Sequence, residues 1–149
     1  MTYLLDTNIL LRWADKSHPQ NVLVDSALVS LHRQGEVLSI CPQSIVEFWA
    51  VATRPKLNNG LGWTLMDTRL AVIMAQGIFD FLADPLTLYD TWFDLVTRYG
   101  VAGKNVHDAR IAAFAISHGI PNLLTINIGD FKRFTELNTV HPQDVPLIP

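Results

Sequence analysis

The sequence predicts a three-layer α/β domain with a central, mostly parallel sheet of four to five strands and helices on both faces. Short apolar runs alternate with stretches of helical periodicity, the pattern of a parallel sheet joined by crossover helices. The runs are apolar throughout instead of alternating with polar residues, as strands covered on both faces are. The chain has 149 residues, 49% hydrophobic and 17% charged, with no linker, repeat or low-complexity tract. One domain over residues 1–149 with a sizeable core follows.

Taken in order, residues 2–5 read as a buried strand ending at Asp6. Ile9 to Trp13 begins a helix, and Val22, Leu23, Ser26, Ala27 and Leu31 continue a face of period 3.6. Residues 37–40 form a second strand, and Pro42 marks the handover to a helix over 45–52. Pro55, Asn58, Asn59, Gly60 and Gly62 make residues 54–63 a loop. Thr64 and Asp67 form a capping box, with Asp in the usual Glu place, for a helix to Gln76 that Gly77 closes. A third strand is expected over 78–82, then a helix over 87–99 and a loop to His107. A helix over 108–118 ends at Gly119. A strand over 122–125, a short helical turn over 130–134 and a last strand over 139–141 complete the chain.

Composition excludes several classes. Disorder requires low hydrophobicity and high charge, and this chain has neither. A single cysteine, Cys41, permits no internal disulfide and no cysteine-only zinc site. The five histidines show no zinc spacing. Met1 to Asp6 has no secretory leader pattern and no apolar run approaches a membrane span, so a soluble, cytoplasmic protein with no membrane association is expected. The net charge of −3 is unevenly spread. Asp67, Asp80, Asp84, Asp90 and Asp94 stand against Arg69 alone, whereas Arg98, Lys104, Arg110, Lys132 and Arg133 face only Asp108 and Asp130. The latter stretch permits phosphate binding, with Lys104, Arg110, Lys132 and Arg133 as candidate RNA-phosphate contacts.

In open parallel sheets, ligands bind beyond the carboxyl ends of the strands, where strand order reverses. Four carboxylates are placed to reach that edge: Asp6 after the first strand, Glu47 early in the helix after the second, Asp108 opening the helix before the fourth, and Asp130 after the fourth. Each has an ordinary structural reading. Asp6 could cap a helix, Asp108 could complement a helix dipole, Glu47 could face solvent and Asp130 could sit in a turn. The ordered set of four is what favours chemistry. Converging carboxylates repel unless a cation joins them, and oxygen ligands with few histidines favour Mg²⁺ or Mn²⁺ over zinc. Such an ion could activate water for a phosphodiester displacement.

The set also carries a resemblance. With Leu4-Leu5-Asp6-Thr7-Asn8-Ile9-Leu10, Ser44 to Glu47, His107-Asp108-Ala109, Leu124-Thr125, Asn127 and Asp130-Phe131 in this order and spacing, the chain resembles PIN-domain ribonucleases, and among them VapC-type toxins. The resemblance covers essentially all residues. It implies a parallel-sheet fold, Mg²⁺-dependent (or Mn²⁺-dependent) endoribonuclease activity on RNA such as tRNA, a homodimer, and inhibition by a cognate antitoxin protein. It implies Asp6, Glu47, Asp108 and Asp130 as catalytic, with the first three as metal ligands. Thr7, Asn8, Thr125 and Asn127 would support these ligands or orient the substrate. The family often has an acid two residues after the threonine matched by Thr125; here Asn127 stands there, and Asp130 is the candidate replacement.

Two rival classes are weighed against this reading. A phosphatase-type hydrolase would use Asp6 as nucleophile, but Asp6-Thr7-Asn8 lacks the second aspartate of such enzymes. A non-enzymatic RNA- or protein-binding domain could share the fold. Cys41 reads as a small buried hydrophobe, and Trp49, Trp63 and Trp92 as core or interface residues.

Overall fold

The computed structural model describes residues 1–149. Five strands, β1 (Thr2–Leu5), β2 (Val37–Ile40), β3 (Asp80–Phe81), β4 (Asn122–Leu124) and β5 (Asn138–Val140), form one sheet in the order β3-β2-β1-β4-β5, and every neighbouring pair is parallel. The chain starts in the centre, fills one side with β2 and β3, then crosses back to add β4 and β5. The order therefore reverses between β1 and β4, whose register pairs Leu5 with Leu124.

Seven helices cover the sheet: α1 (Thr7–Ala14), α2 (Asn21–Arg33), α3 (Pro42–Thr53), α4 (Leu65–Ile78), α5 (Leu88–Arg98), α6 (Asn105–Ser117) and α7 (Ile128–Phe131). Alternate strand residues enter different layers. Leu4 and Leu123 pack with Leu95, Phe114, Phe131 and Phe134 on one face; Leu5 and Leu124 pack with Ile9, Leu28, Phe48 and Ala75 on the other. All four strand leucines are fully buried, and each such burial contributes about 1.5–3 kcal/mol. This explains the unbroken apolar runs. No helix is long and apolar enough to cross a membrane.

The element boundaries differ from the sequence reading chiefly at four places, besides shifts of two or three residues that start α3 at Pro42 and place α7 at Ile128–Phe131. The expected continuous N-terminal helix is two helices, because Asp15 turns the chain. Its Oδ1 accepts the Ser17 N–H at 3.1 Å and the Ser17 hydroxyl at 2.6 Å, and Pro19 disfavours helical backbone in the residue before it. Asn21 then ties the pair together, donating to the Arg12 carbonyl at 2.8 Å. Gly77 does not end α4, which continues through it to Ile78. The third strand consequently shrinks to Asp80–Phe81, with Phe79 buried edge-on against Trp13, ring centroids 5.2 Å apart. Finally, α6 begins at Asn105, three positions before Asp108, placing that acid in a formed first turn. Half of the expected capping box of α4 forms: the Thr64 hydroxyl accepts the Asp67 N–H at 3.1 Å, while the Asp67 carboxylate does not return a bond to the Thr64 N–H. Gly119 ends α6 with a left-handed φ of 67°, a backbone that glycine adopts at little cost.

Candidate active site

The site lies beyond the carboxyl ends of β1 and β4. The Asp6 N–H donates to the Leu124 carbonyl at 3.0 Å, aligning the two strand ends. Asp6 is 7% exposed and both carboxylate oxygens are engaged. Oδ1 accepts the Thr7 N–H at 2.8 Å, so Asp6 also caps α1. Oδ2 accepts the Thr125 hydroxyl at 2.7 Å and Asn8 Nδ2 at 3.1 Å. The ordinary capping role and the site role therefore coexist.

Thr125 and Asn8 join the two strand ends. Thr125 Oγ1 accepts Asn8 Nδ2 at 3.2 Å and the Asn127 N–H at 3.1 Å, while Asn8 Oδ1 accepts the Ile126 N–H at 3.2 Å. Thr7 reaches the other way, donating its hydroxyl to Glu47 Oε2 at 2.6 Å. A hydrogen bond to a charged group contributes about 1.5–3 kcal/mol, enough to hold a half-buried carboxylate in one orientation. Asn127 enters through its backbone; its side chain is at the surface.

Gln43 is a residue that the sequence reading missed. Its Nε2 donates to Glu47 Oε1 at 2.9 Å and to the His107 carbonyl at 2.8 Å, while its Oε1 accepts Arg110 Nη1 at 2.9 Å. It thus clamps α3 to the start of α6 and fixes the second oxygen of Glu47. The available signal was its place four residues before Glu47, on the same helix face.

The charges of the other acids are felt at Asp6 and Asp108. The Asp6 carboxyl is pushed up from 3.8 to about 6, first by desolvation and further by the charges of Asp108 and Glu47, against the lowering by Thr125 and the Thr7 backbone. Asp108 is also pushed up to about 6, by desolvation and then by Asp130 and Glu47, with His107 and Arg133 acting in the opposite direction. Asp108 is the hub, and Asp130, exposed on α7, reaches the cluster through it.

The donor set is entirely oxygen, which suits Mg²⁺ or Mn²⁺. No three acid, histidine or cysteine side chains close into a cage around an ion. Mg²⁺ does not require one, because it is usually held by one or two carboxylates with waters and substrate phosphate completing the shell. By chemistry and charge, Asp6 and Asp108 fit that role, with Glu47 beside them.

Of the basic candidates, Arg133 adjoins Asp108 electrostatically. Lys104 and Lys132 are exposed outside the chain's ion pairs. Arg110 is paired with Asp84 at 3.1 Å, which removes most of its value to a phosphate. Cys41 is fully buried with its Sγ 3.2 Å from the Ser44 hydroxyl, and burial pushes its thiol pKa up, as an inert core residue requires.

The family model of the PIN domain matches residues 3–137. The chain belongs to the PIN-domain family. Among solved structures it is similar to a chain of the Rickettsia felis VapBC2 complex bound to a promoter DNA fragment. Identity is 19%, coverage 95% of this chain and 98% of the other, and the TM-score 0.72. It is similar to VapC20 of Mycobacterium tuberculosis, a toxin that cleaves the sarcin–ricin loop, at 12% identity, 81% and 86% coverage and a TM-score of 0.63. A toxin–antitoxin complex from Klebsiella pneumoniae contains a further similar chain, at 22% identity, 94% and 97% coverage and a TM-score of 0.63. No curated protein is significantly similar in sequence.

Proposed function

We propose that this chain is a Mg²⁺- or Mn²⁺-dependent endoribonuclease, the toxin of a toxin–antitoxin pair, cutting tRNA or another structured RNA in the cytoplasm. The observation that carries the reading is the hydrogen-bonded chain at the strand ends, in which Thr125 and Thr7 hold Asp6, Thr7 and Gln43 hold Glu47, and Gln43 bonds the carbonyl of His107 next to Asp108. The raised carboxyls of Asp6 and Asp108, the latter facing Asp130 as well, support it. A fold gains nothing in stability from such a cluster; a cation site does.

The bound ion would supply an activated water and neutralise charge on the scissile phosphate. Asp6, fixed by Thr125, Asn8 and the Thr7 backbone, and Asp108 would hold the ion. Glu47, held at both oxygens by Thr7 and Gln43, would orient water by accepting its proton in a hydrogen bond. Thr7, Asn8 and Thr125 act through Asp6 and Glu47. Asn127 leaves the fourth position uncharged, and Asp130 would supply the charge there. Lys104, Lys132 and Arg133 would contact RNA phosphate.

The phosphatase-type reading is disfavoured because Asn8 stands two residues after Asp6, where such hydrolases carry a second aspartate as general acid. Partner binding is supported by α4, where Leu65, Met66, Leu70, Ile73, Met74 and Ile78 are all exposed, more apolar surface than a solitary helix normally shows. An antitoxin and a second copy of this chain are the proposed partners.

Cleavage of an RNA pool in Mg²⁺, its arrest by EDTA, and its loss in folded Asp6→Asn and Asp108→Asn variants are the expected results. Asp130→Asn should retain more activity than Asp108→Asn. Full cleavage by either of the first two variants would overturn the site, and cutting of DNA hairpins as readily as RNA would overturn the substrate. A merely RNA-binding domain would bind without cutting. Co-purification with the product of a short adjacent gene tests the antitoxin; sedimentation as a strict monomer at micromolar concentration refutes the dimer.

A further inference from the structure

A second hollow, of about 620 Å³, adjoins the acid cluster between the loop entering α5, α5 itself and the start of α6. Leu86 stands fully exposed at its rim and Tyr89 is 66% exposed. Trp92 is partly buried, and its indole Nε1 donates to the Val106 carbonyl at 2.8 Å, so its ring is fixed without a ligand. The Tyr89 and Trp92 rings, 5.9 Å apart at 41°, both line this space, and Phe93 stacks on Tyr89 at 6.1 Å and 20°.

The polar groups in the wall are Asp84, His107 and Arg110. Arg110 is bound to Asp84 and to Gln43. A guanidinium already matched by a carboxylate has little charge to offer a phosphate, and Asp84 would repel one. What the pair does offer is an acceptor beside donors, the complement of a base edge. The hollow is also tied to the acids. Gln43 bonds both Arg110 and Glu47, and His107, whose carbonyl Gln43 holds, directly precedes Asp108.

We infer that this hollow takes one unstacked nucleobase of the RNA strand, a guanine, beside the bond to be cut. The base stacks on the exposed Tyr89 ring beside Trp92, its N1–H and N2–H groups donate to Asp84, and its O6 accepts from Arg110. Sequence-selective recognition of RNA operates on such splayed bases, with aromatic rings as platforms. The inference rests on the ribonuclease reading and adds the feature that selects where the strand is cut.

The test uses metal-free protein in EDTA, so that binding is read without cleavage. The probes are labelled single-stranded uridine heptamers with guanosine, adenosine, cytidine or an abasic residue at the centre, followed by fluorescence anisotropy. Wild type should bind the guanosine heptamer about tenfold more tightly than the abasic one. Tyr89→Ala should lose that tenfold on the guanosine heptamer and nothing on the abasic one, and Tyr89→Phe should retain it. Arg110→Lys should erase the preference for guanosine over adenosine and cytidine. Tyr89 is exposed, so its truncation leaves the fold intact. Equal binding of both heptamers by wild type and Tyr89→Ala overturns the inference, as does a wild type that binds neither. Conversion of a wild-type dimer to monomer by Tyr89→Ala, with RNA affinity unchanged, would make the patch a subunit interface instead. Cleavage in Mg²⁺ separates the two levels. Identical cut sites for wild type and Tyr89→Ala sink the base site and leave the ribonuclease standing. A wild type that cuts no RNA sinks the ribonuclease, whatever the heptamers show.

Discussion

Replacing Asp6 by Asn should stabilise the metal-free protein at neutral pH while destroying its activity. The Asp6 carboxyl titrates near 3.8 when unperturbed and near 6 in the fold, so the folded state holds the proton more tightly than the unfolded chain does. Folding therefore carries no penalty from this group below about pH 4, an increasing one as pH rises, and a constant one above about pH 6. With each tenfold in proton affinity worth about 1.4 kcal/mol, the full penalty is about 3 kcal/mol. Asn removes the charge but brings an NH₂ group into a pocket of donors, where the Thr7 N–H, Asn8 Nδ2 and the Thr125 hydroxyl all converge. One or two imperfect hydrogen bonds cost about 1 kcal/mol each. The net expectation is a gain of about 1–2 kcal/mol at pH 7.5 and a loss of about 1 kcal/mol at pH 4. Urea unfolding in EDTA at both pH values, with wild type and variant side by side, reads the difference directly. A variant no more stable than wild type at pH 7.5, or a difference that does not change with pH, would refute the account of Asp6 as a buried, cation-seeking carboxylate.

Added Mg²⁺ should raise the wild-type melting temperature at pH 7.5, with about 2.7 kcal/mol of stabilisation at a hundredfold excess over Kd; Asp6→Asn and Asp108→Asn should respond weakly, and equal responses would place the ion elsewhere. Thr125→Val removes the hydroxyl that holds the Asp6 carboxyl down. The acid limb of the pH–rate profile for RNA cleavage should move to higher pH, and an unmoved limb would detach Thr125 from Asp6. Gly60→Ala would bring a Cβ within 1.9 Å of the Arg54 carbonyl oxygen. The loop must shift, and thermal unfolding should report a loss of about 1–3 kcal/mol, while an unchanged melting temperature would show that the loop yields freely.

The sequence alone carried the architecture, because strands buried on two faces must be apolar at every position and helices on one face must repeat every 3.6 residues. Residues 2–5 and 37–40 match their strands in full, and Asp6 follows β1 as expected. The positions of the four acids after strands and near helix starts were legible for the same reason, since the strand ends of a parallel sheet form one edge. Boundaries were less legible where a local device competed with a periodic pattern. Asp15, Ser17 and Pro19 break a helix whose apolar period runs on past them, and Gly77 stays helical inside a turn closed by the Phe79 N–H bonding the Ala75 carbonyl at 2.9 Å, with Phe79 itself buried.

What only the tertiary structure decided is which groups meet. Linear order says nothing of β1 lying beside β4, and that adjacency lets Thr125 bond Asp6 across 119 positions. Nor does it reveal Gln43 joining Glu47, His107 and Arg110, or the pairing of Arg110 with Asp84 that withdraws a cation from phosphate binding. The raised carboxyls of Asp6 and Asp108 exist only once the fold removes water and sets like charges together. Periodicity is a property of neighbours along the chain and can be read there. Desolvation and charge proximity are properties of neighbours in space, and the chain acquires them only on folding.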